Sequence, residues 1–114
     1  MINTVPKLLL KIGENIISMI IDTGAVVNMI DEVTYHSLRE KPKLEKCNRQ
    51  FYAYGEVKAI QILGQFMSKI TYKSFTVDAA FIVSNNGHQN LLSYQTSVKL
   101  GIVNSINNIE ESGV

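Results

Sequence analysis

Apolar positions along the chain fall in short runs separated by Gly-, Asn- and Pro-containing stretches. Lys7–Ile12 is one such run. It ends at Gly13-Glu14-Asn15 and is followed by Ile16–Ile21, a pairing that predicts a β-hairpin. Val26–Ile30 predicts a buried strand after an Asp-Thr-Gly-Ala loop. Asp31 then opens DEVTYHSLRE, where early acids and the spacing of Val33, His36 and Leu38 predict a short amphipathic helix. Pro42 and its charged neighbours read as a surface loop. Arg49–Tyr54 and Val57–Leu63 flank Gly55, predicting a second hairpin with Tyr54, Gly55 and Glu56 at its tip. QFMSKITY and FTVDAAFIV, joined by Lys73-Ser74, are the most strand-like segments, and SNNGHQN is a turn-rich loop. Ser93 is placed to cap a helix over Tyr94–Leu100 that stops at Gly101. The tally predicts an all-β, barrel-like domain with one or two short helices.

Composition narrows the function classes. A chain of 114 residues, 46% apolar and with a net charge of +1, is one domain with a modest core and no polyelectrolyte partner. It has no Lys/Arg block or basic-aromatic stripe, so binding of nucleic acid by this domain is not expected. The longest apolar runs are too short for a membrane span, and MINTVPKLLLKIGEN lacks the pattern of a signal peptide. The single Cys47 leaves no internal disulfide framework and suits a reducing, intracellular compartment. His36 and His88 stand far apart with no ligand spacing around them, so neither a metal site nor a cofactor is expected.

The chemistry concentrates at MIIDTGAVVN, where an apolar run meets Asp22. Burying a lone carboxylate costs several kcal/mol unless it is paired, hydrogen-bonded or neutralised. Asp31 reads as a helix-starting acid and Asp78 as a solvent-facing strand residue, so Asp22 is the candidate catalytic acid.

Asp22-Thr23-Gly24 after an apolar strand resembles the active-site motif of aspartic proteases, and one motif in a chain of this length resembles the retropepsins. Residues 16–32 are similar to that family's strand, catalytic loop and strand. NLLSYQTSVKLGIV (90–103) is similar to its second apolar loop and C-terminal helix, and YAYGEVKAIQILGQF (52–66) resembles the flap of Gypsy-type retrotransposon proteases. The resemblance spans roughly residues 5–105. It implies a small closed β-barrel over residues 1–106, with 107–114 as a disordered tail. It also implies a homodimer cleaving a polypeptide substrate, a retroelement polyprotein within intracellular particles.

In such an enzyme one carboxyl takes a proton from water while another donates one to the scissile carbonyl. Two carboxyls about 3 Å apart share a single proton. One chain supplies one such acid, so the second would be Asp22 of another copy, with the site on a two-fold axis. Gly24 would let substrate backbone approach. The resemblance implies that Thr23 hydroxyls exchange hydrogen bonds across the dimer. Ala25, Val26 and Val27 would line the substrate cleft, with Ile62 or Leu63 as lesser candidates, and Tyr54-Gly55-Glu56 would close over it.

The sequence also departs from the retroviral pattern. There an acid usually follows Asp-Thr-Gly-Ala, and Gly-Arg follows the later apolar pair; here the places hold Val26, Ser93 and Tyr94. The acid and arginine ordinarily pair near the dimer interface. Without them, apolar contacts and interleaved termini (Met1–Val5 and Ile102–Ile106) would have to hold the dimer. Besides a retroelement protease, a domesticated host protease or a non-catalytic dimerisation or peptide-binding module fits the pattern. The intact Asp22-Thr23-Gly24-Ala25 argues against the non-catalytic module.

Overall fold

The computed structural model describes residues 7–53 and 55–102. The expectations placed on Met1–Val5, Tyr54 and residues 103–114 lie outside the described residues. Six strands and two helices follow in the order β1 (Lys7–Ile12), β2 (Asn15–Ile21), β3 (Asn28–Asp31), α1 (Glu32–Ser37), β4 (Ile62–Tyr72), β5 (Phe75–Ser84), β6 (Leu91–Leu92) and α2 (Tyr94–Lys99). The strands close into a barrel in the spatial order β1-β2-β6-β3-β5-β4. The all-β barrel expected from the sequence is the fold observed.

Local chemistry accounts for most elements. β1 and β2 form the expected antiparallel hairpin, with Ile12 opposite Asn15 across a turn that has Gly13 at φ +58°. β4 and β5 pair over their whole length. Asp31 caps α1 by accepting the Thr34 N–H at 2.8 Å, and Ser93 caps α2 by accepting that of Thr96 at 3.2 Å. Gly101, at φ +78°, stands just past α2. Asp78 lies on the exposed face of β5, 3.2 Å from the Lys69 ammonium.

The barrel interior is filled by alternate residues of the strands, among them Leu10, Ile12, Ile30, Ile70, Phe81 and Val83. Phe66 and Phe81, directly opposite in the β4–β5 ladder, stack with ring centroids 5.2 Å apart. The outward residues Met29 and Ile82 are buried as well. They pack with Phe51 in a second cluster, joined by Val27, Cys47, Ile60 and Ile62. Through Cys47, Phe51 and Ile60, the described residues between 45 and 60 thus form an arm laid over the outer face of β3 and β5. A sheet covered on both faces reads as a continuous apolar run, which is why burial stops alternating from Phe81 to Val83, after exposed Ala80. The arm is tied to β4 by a reciprocal backbone pair, Glu45 N–H to Gln65 O at 2.8 Å and Gln65 N–H to Glu45 O at 2.9 Å.

Four sequence expectations are corrected. β3 begins at Asn28, not Val26, because Val26 lies in the loop and is 78% exposed. The buried face of α1 is carried by Tyr35, with Leu38 just beyond the helix, whereas Val33 and His36 are exposed. Tyr35 is drawn inward by its ring contact with Phe66 and its hydroxyl donating to the Pro42 carbonyl. Among its described residues the arm hairpin has no regular strand over 49–61; a Tyr52–Ala59 bridge and an Ile60 N–H to Phe51 O bond of 2.7 Å hold it. Leu91 and Leu92, read as an apolar loop, form a strand parallel to β2 that also touches β3 at Met29.

Candidate active site

The loop from Asp22 to Val27 bridges β2 and β3, and its shape is set within the loop itself. The Ala25 N–H donates to the Asp22 carbonyl at 3.0 Å, closing a tight turn, and the Gly24 N–H donates to Asp22 Oδ1 at 2.9 Å. The second bond ties Oδ1 of the carboxylate to its own loop. In the single chain Asp22 is half-buried, not enclosed as the apolar run before it suggested. Ile21 is buried in the barrel core, whereas Thr23 and Gly24 on the other side of Asp22 are exposed.

Beside this loop lies a cleft of about 720 Å³. Asp22, Gly24, Ala25, Val26 and Val27 line it from the loop, and Phe51, Tyr52, Ala53 and Ile60 line it from the arm. Met29 and Leu91 add apolar surface from β3 and β6, while Gln50, His88 and Gln89 supply polar groups. Asp22 is the only acid among the described lining residues.

The sequence candidates separate accordingly. The structure brings together Asp22, Gly24, Ala25, Val26 and Val27. Thr23 is exposed beside them and does not line the cleft of the single chain. Gly55, at φ +80°, and Glu56 belong to the exposed end of the arm, where the Glu56 N–H donates to the Ala53 carbonyl at 2.9 Å. Glu56 lines a smaller neighbouring depression of about 250 Å³ that shares His88 with the cleft. Ile62 packs in the cluster beneath the arm, and neither it nor Leu63 lines the cleft. Phe51, Tyr52 and Ile60 are not singled out by the sequence, and His88 is weighed there only as a metal ligand. Their one signal was position in the arm and in the loop before β6, which becomes informative only once both fold beside Asp22. Among the described residues no group of three or more His, Cys, Asp or Glu is placed to hold a metal ion.

No family model matches the sequence, and no curated protein matches it either. Among solved structures, the fold matches EIAV protease complexed with the inhibitor HBY-793. The TM-score is 0.75 and the identity 15%, over 86% of this chain and 89% of that one. At that identity the likeness establishes the fold. This chain has a retropepsin-like fold, as the Asp-Thr-Gly motif and its surroundings led one to expect.

Proposed function

We propose that the protein is an aspartic endopeptidase whose active unit is a homodimer, with Asp22 of each copy forming a catalytic dyad. The observation that carries the reading is Asp22, its carboxylate bonded to the Gly24 N–H, lining a largely apolar cleft on a retropepsin-like barrel. One carboxylate alone offers either a base or an acid. A second copy brought loop to loop supplies the other, so that water is deprotonated and the scissile carbonyl protonated in one step. Thr23, exposed next to Asp22, is then available to the partner's loop. Val26 and Val27 present apolar walls to an extended peptide, and the arm end around Gly55 and Glu56 closes over it. A polyprotein of a retroelement, cleaved inside the cell, is the proposed substrate. Cleavage of an apolar-flanked peptide library, with and without a statine-type inhibitor, tests the reading. Inhibition by the statine and indifference to chelators is the expected result; hydrolysis sensitive to a chelator and not to the statine overturns it.

A further inference from the structure

Three consecutive residues, Leu92 at the end of β6 and Ser93 and Tyr94 after it, reach back to the Asp22 loop and the start of β3. Leu92 O accepts the Asp22 N–H at 3.1 Å, the Tyr94 N–H donates to Ala25 O at 3.2 Å, and the Ser93 N–H donates to Asn28 Oδ1 at 2.8 Å. The first two bonds are backbone to backbone and are available to any sequence. The third belongs to one side chain.

Asn28 is 4% exposed, and its amide is fully used. Beside the Ser93 bond, Nδ2 donates to Ala80 O on β5 at 3.0 Å and to Thr96 Oγ1 on α2 at 2.9 Å. Thr96 Oγ1 also accepts from Ser93 Oγ at 3.1 Å, so the amide and the α2 cap form one closed network. Buried polar groups without partners are costly, and a network satisfied at every atom admits few alternative arrangements. Val26 and Tyr94 are both uncharged, and these bonds join the loop to α2 through neutral groups.

We infer that Asn28 is a positioning residue for Asp22. It holds the C-terminal root of the loop against β5 and the α2 cap, and Thr96 completes its hold. The inference rests on the reading of Asp22 as the catalytic acid. Displacement of a reacting group by about 1 Å can cost on the order of a hundredfold in rate, so loosening this root should depress turnover without removing any group that meets substrate.

Thr96→Val keeps the shape of the side chain and deletes the shared hydroxyl; Asn28→Leu deletes the amide. The full-length variants are measured for kcat per statine-titrated site, for KM, and by NMR for hydrogen exchange at the Gly24 and Tyr94 amides. Both variants should lose about tenfold in kcat with KM within about twofold. The Gly24 and Tyr94 amides should exchange faster while Phe66 and Phe81 in the β4–β5 ladder do not, and Thr96→Ser should recover the wild-type values. Wild-type kcat and loop exchange in folded Thr96→Val overturn the inference, as does exchange accelerated equally throughout the barrel. If Asn28→Leu does not fold, Thr96→Val decides alone. If the wild-type protein cleaves no peptide, the protease reading fails while the exchange data still decide whether Asn28 and Thr96 hold the loop.

Discussion

The backbone N–H of Gly24 and the carboxylate of Asp22 are joined by a 2.9 Å hydrogen bond across a single intervening residue. The acid is thus oriented by its own loop before any partner or substrate arrives. Such pre-orientation is what an acid–base group requires to act without reorganising during reaction. It also separates the roles of neighbouring residues in ways that substitutions can resolve.

Asp22→Asn should abolish peptide hydrolysis, lowering kcat by about 10²–10⁴-fold, while the barrel stays folded. The asparagine Oδ1 still accepts the Gly24 N–H, so the loop keeps its shape and only the titratable oxygen is lost. Circular dichroism together with a peptide assay at matched concentration checks both halves. Substantial residual activity would exclude Asp22 as the catalytic acid.

Gly24→Ala distinguishes a requirement of the fold from a requirement of the assembled site. A Cβ added at Gly24 would meet only Asp22 Oδ1, at 3.4 Å, an ordinary contact. The single chain therefore has little use for glycine here, and urea unfolding should shift by less than about 1 kcal/mol. Close approach of substrate or a second loop does need the space, so kcat/KM should fall at least about tenfold. Loss of stability with activity retained would reverse the assignment.

If the site is shared between two copies, each supplying its one Asp22, activity should fall more steeply than protein concentration on dilution. Sedimentation across the same range should show the monomer appearing where specific activity drops. Specific activity that stays constant through dissociation would rule out a site shared between copies.

The rate should be bell-shaped in pH, since a pair of carboxyls sharing one proton works only in its singly protonated form. Measuring at several protein concentrations separates dyad titration from acid dissociation of the dimer. A profile flat from acidic solution through pH 8 would be incompatible with the shared proton.

Lys73→Gly should stabilise the barrel slightly. Lys73 occupies the β4–β5 turn at φ +54°, a conformation costing a non-glycine residue about 1 kcal/mol. Its ammonium sits 5.3 Å from the Tyr72 ring centroid, an exposed cation–π contact contributing about 0.5 kcal/mol. The balance favours glycine by a few tenths of a kcal/mol at most, read as a small rise in the urea midpoint, with peptide cleavage unchanged.

Much of this fold was legible wherever the signal was local. Gly13 and Lys73-Ser74 mark their hairpins, and Asp31 and Ser93 mark helix starts because a capping oxygen sits within three residues of the N–H it accepts. Asp22-Thr23-Gly24-Ala25 was legible for the same reason. Hidden from inspection were features set by distant residues. Leu91–Leu92 is a strand only because Ile20 and Ile21 lie alongside it. Val26 escapes the strand that its neighbours predict because the loop must first complete its turn. Asn28 looks like one more polar residue until Ser93, Ala80 and Thr96 converge on its amide.

The placement of β6 also bears on when the site comes into being. Strands β2 and β3 are successive in the chain, yet they are not bonded to each other; the two residues of β6 stand between them. During synthesis the chain emerges N-terminus first, so Asp22 is made long before the segment that separates and braces its flanking strands. Contacts spanning some seventy positions are among the slowest to form, because loop closure must precede them. The loop therefore gains its three ties at Leu92, Ser93 and Tyr94 only when nearly the whole described chain is present. A chain ended before Leu91 would carry Asp22 without the three ties that hold its loop.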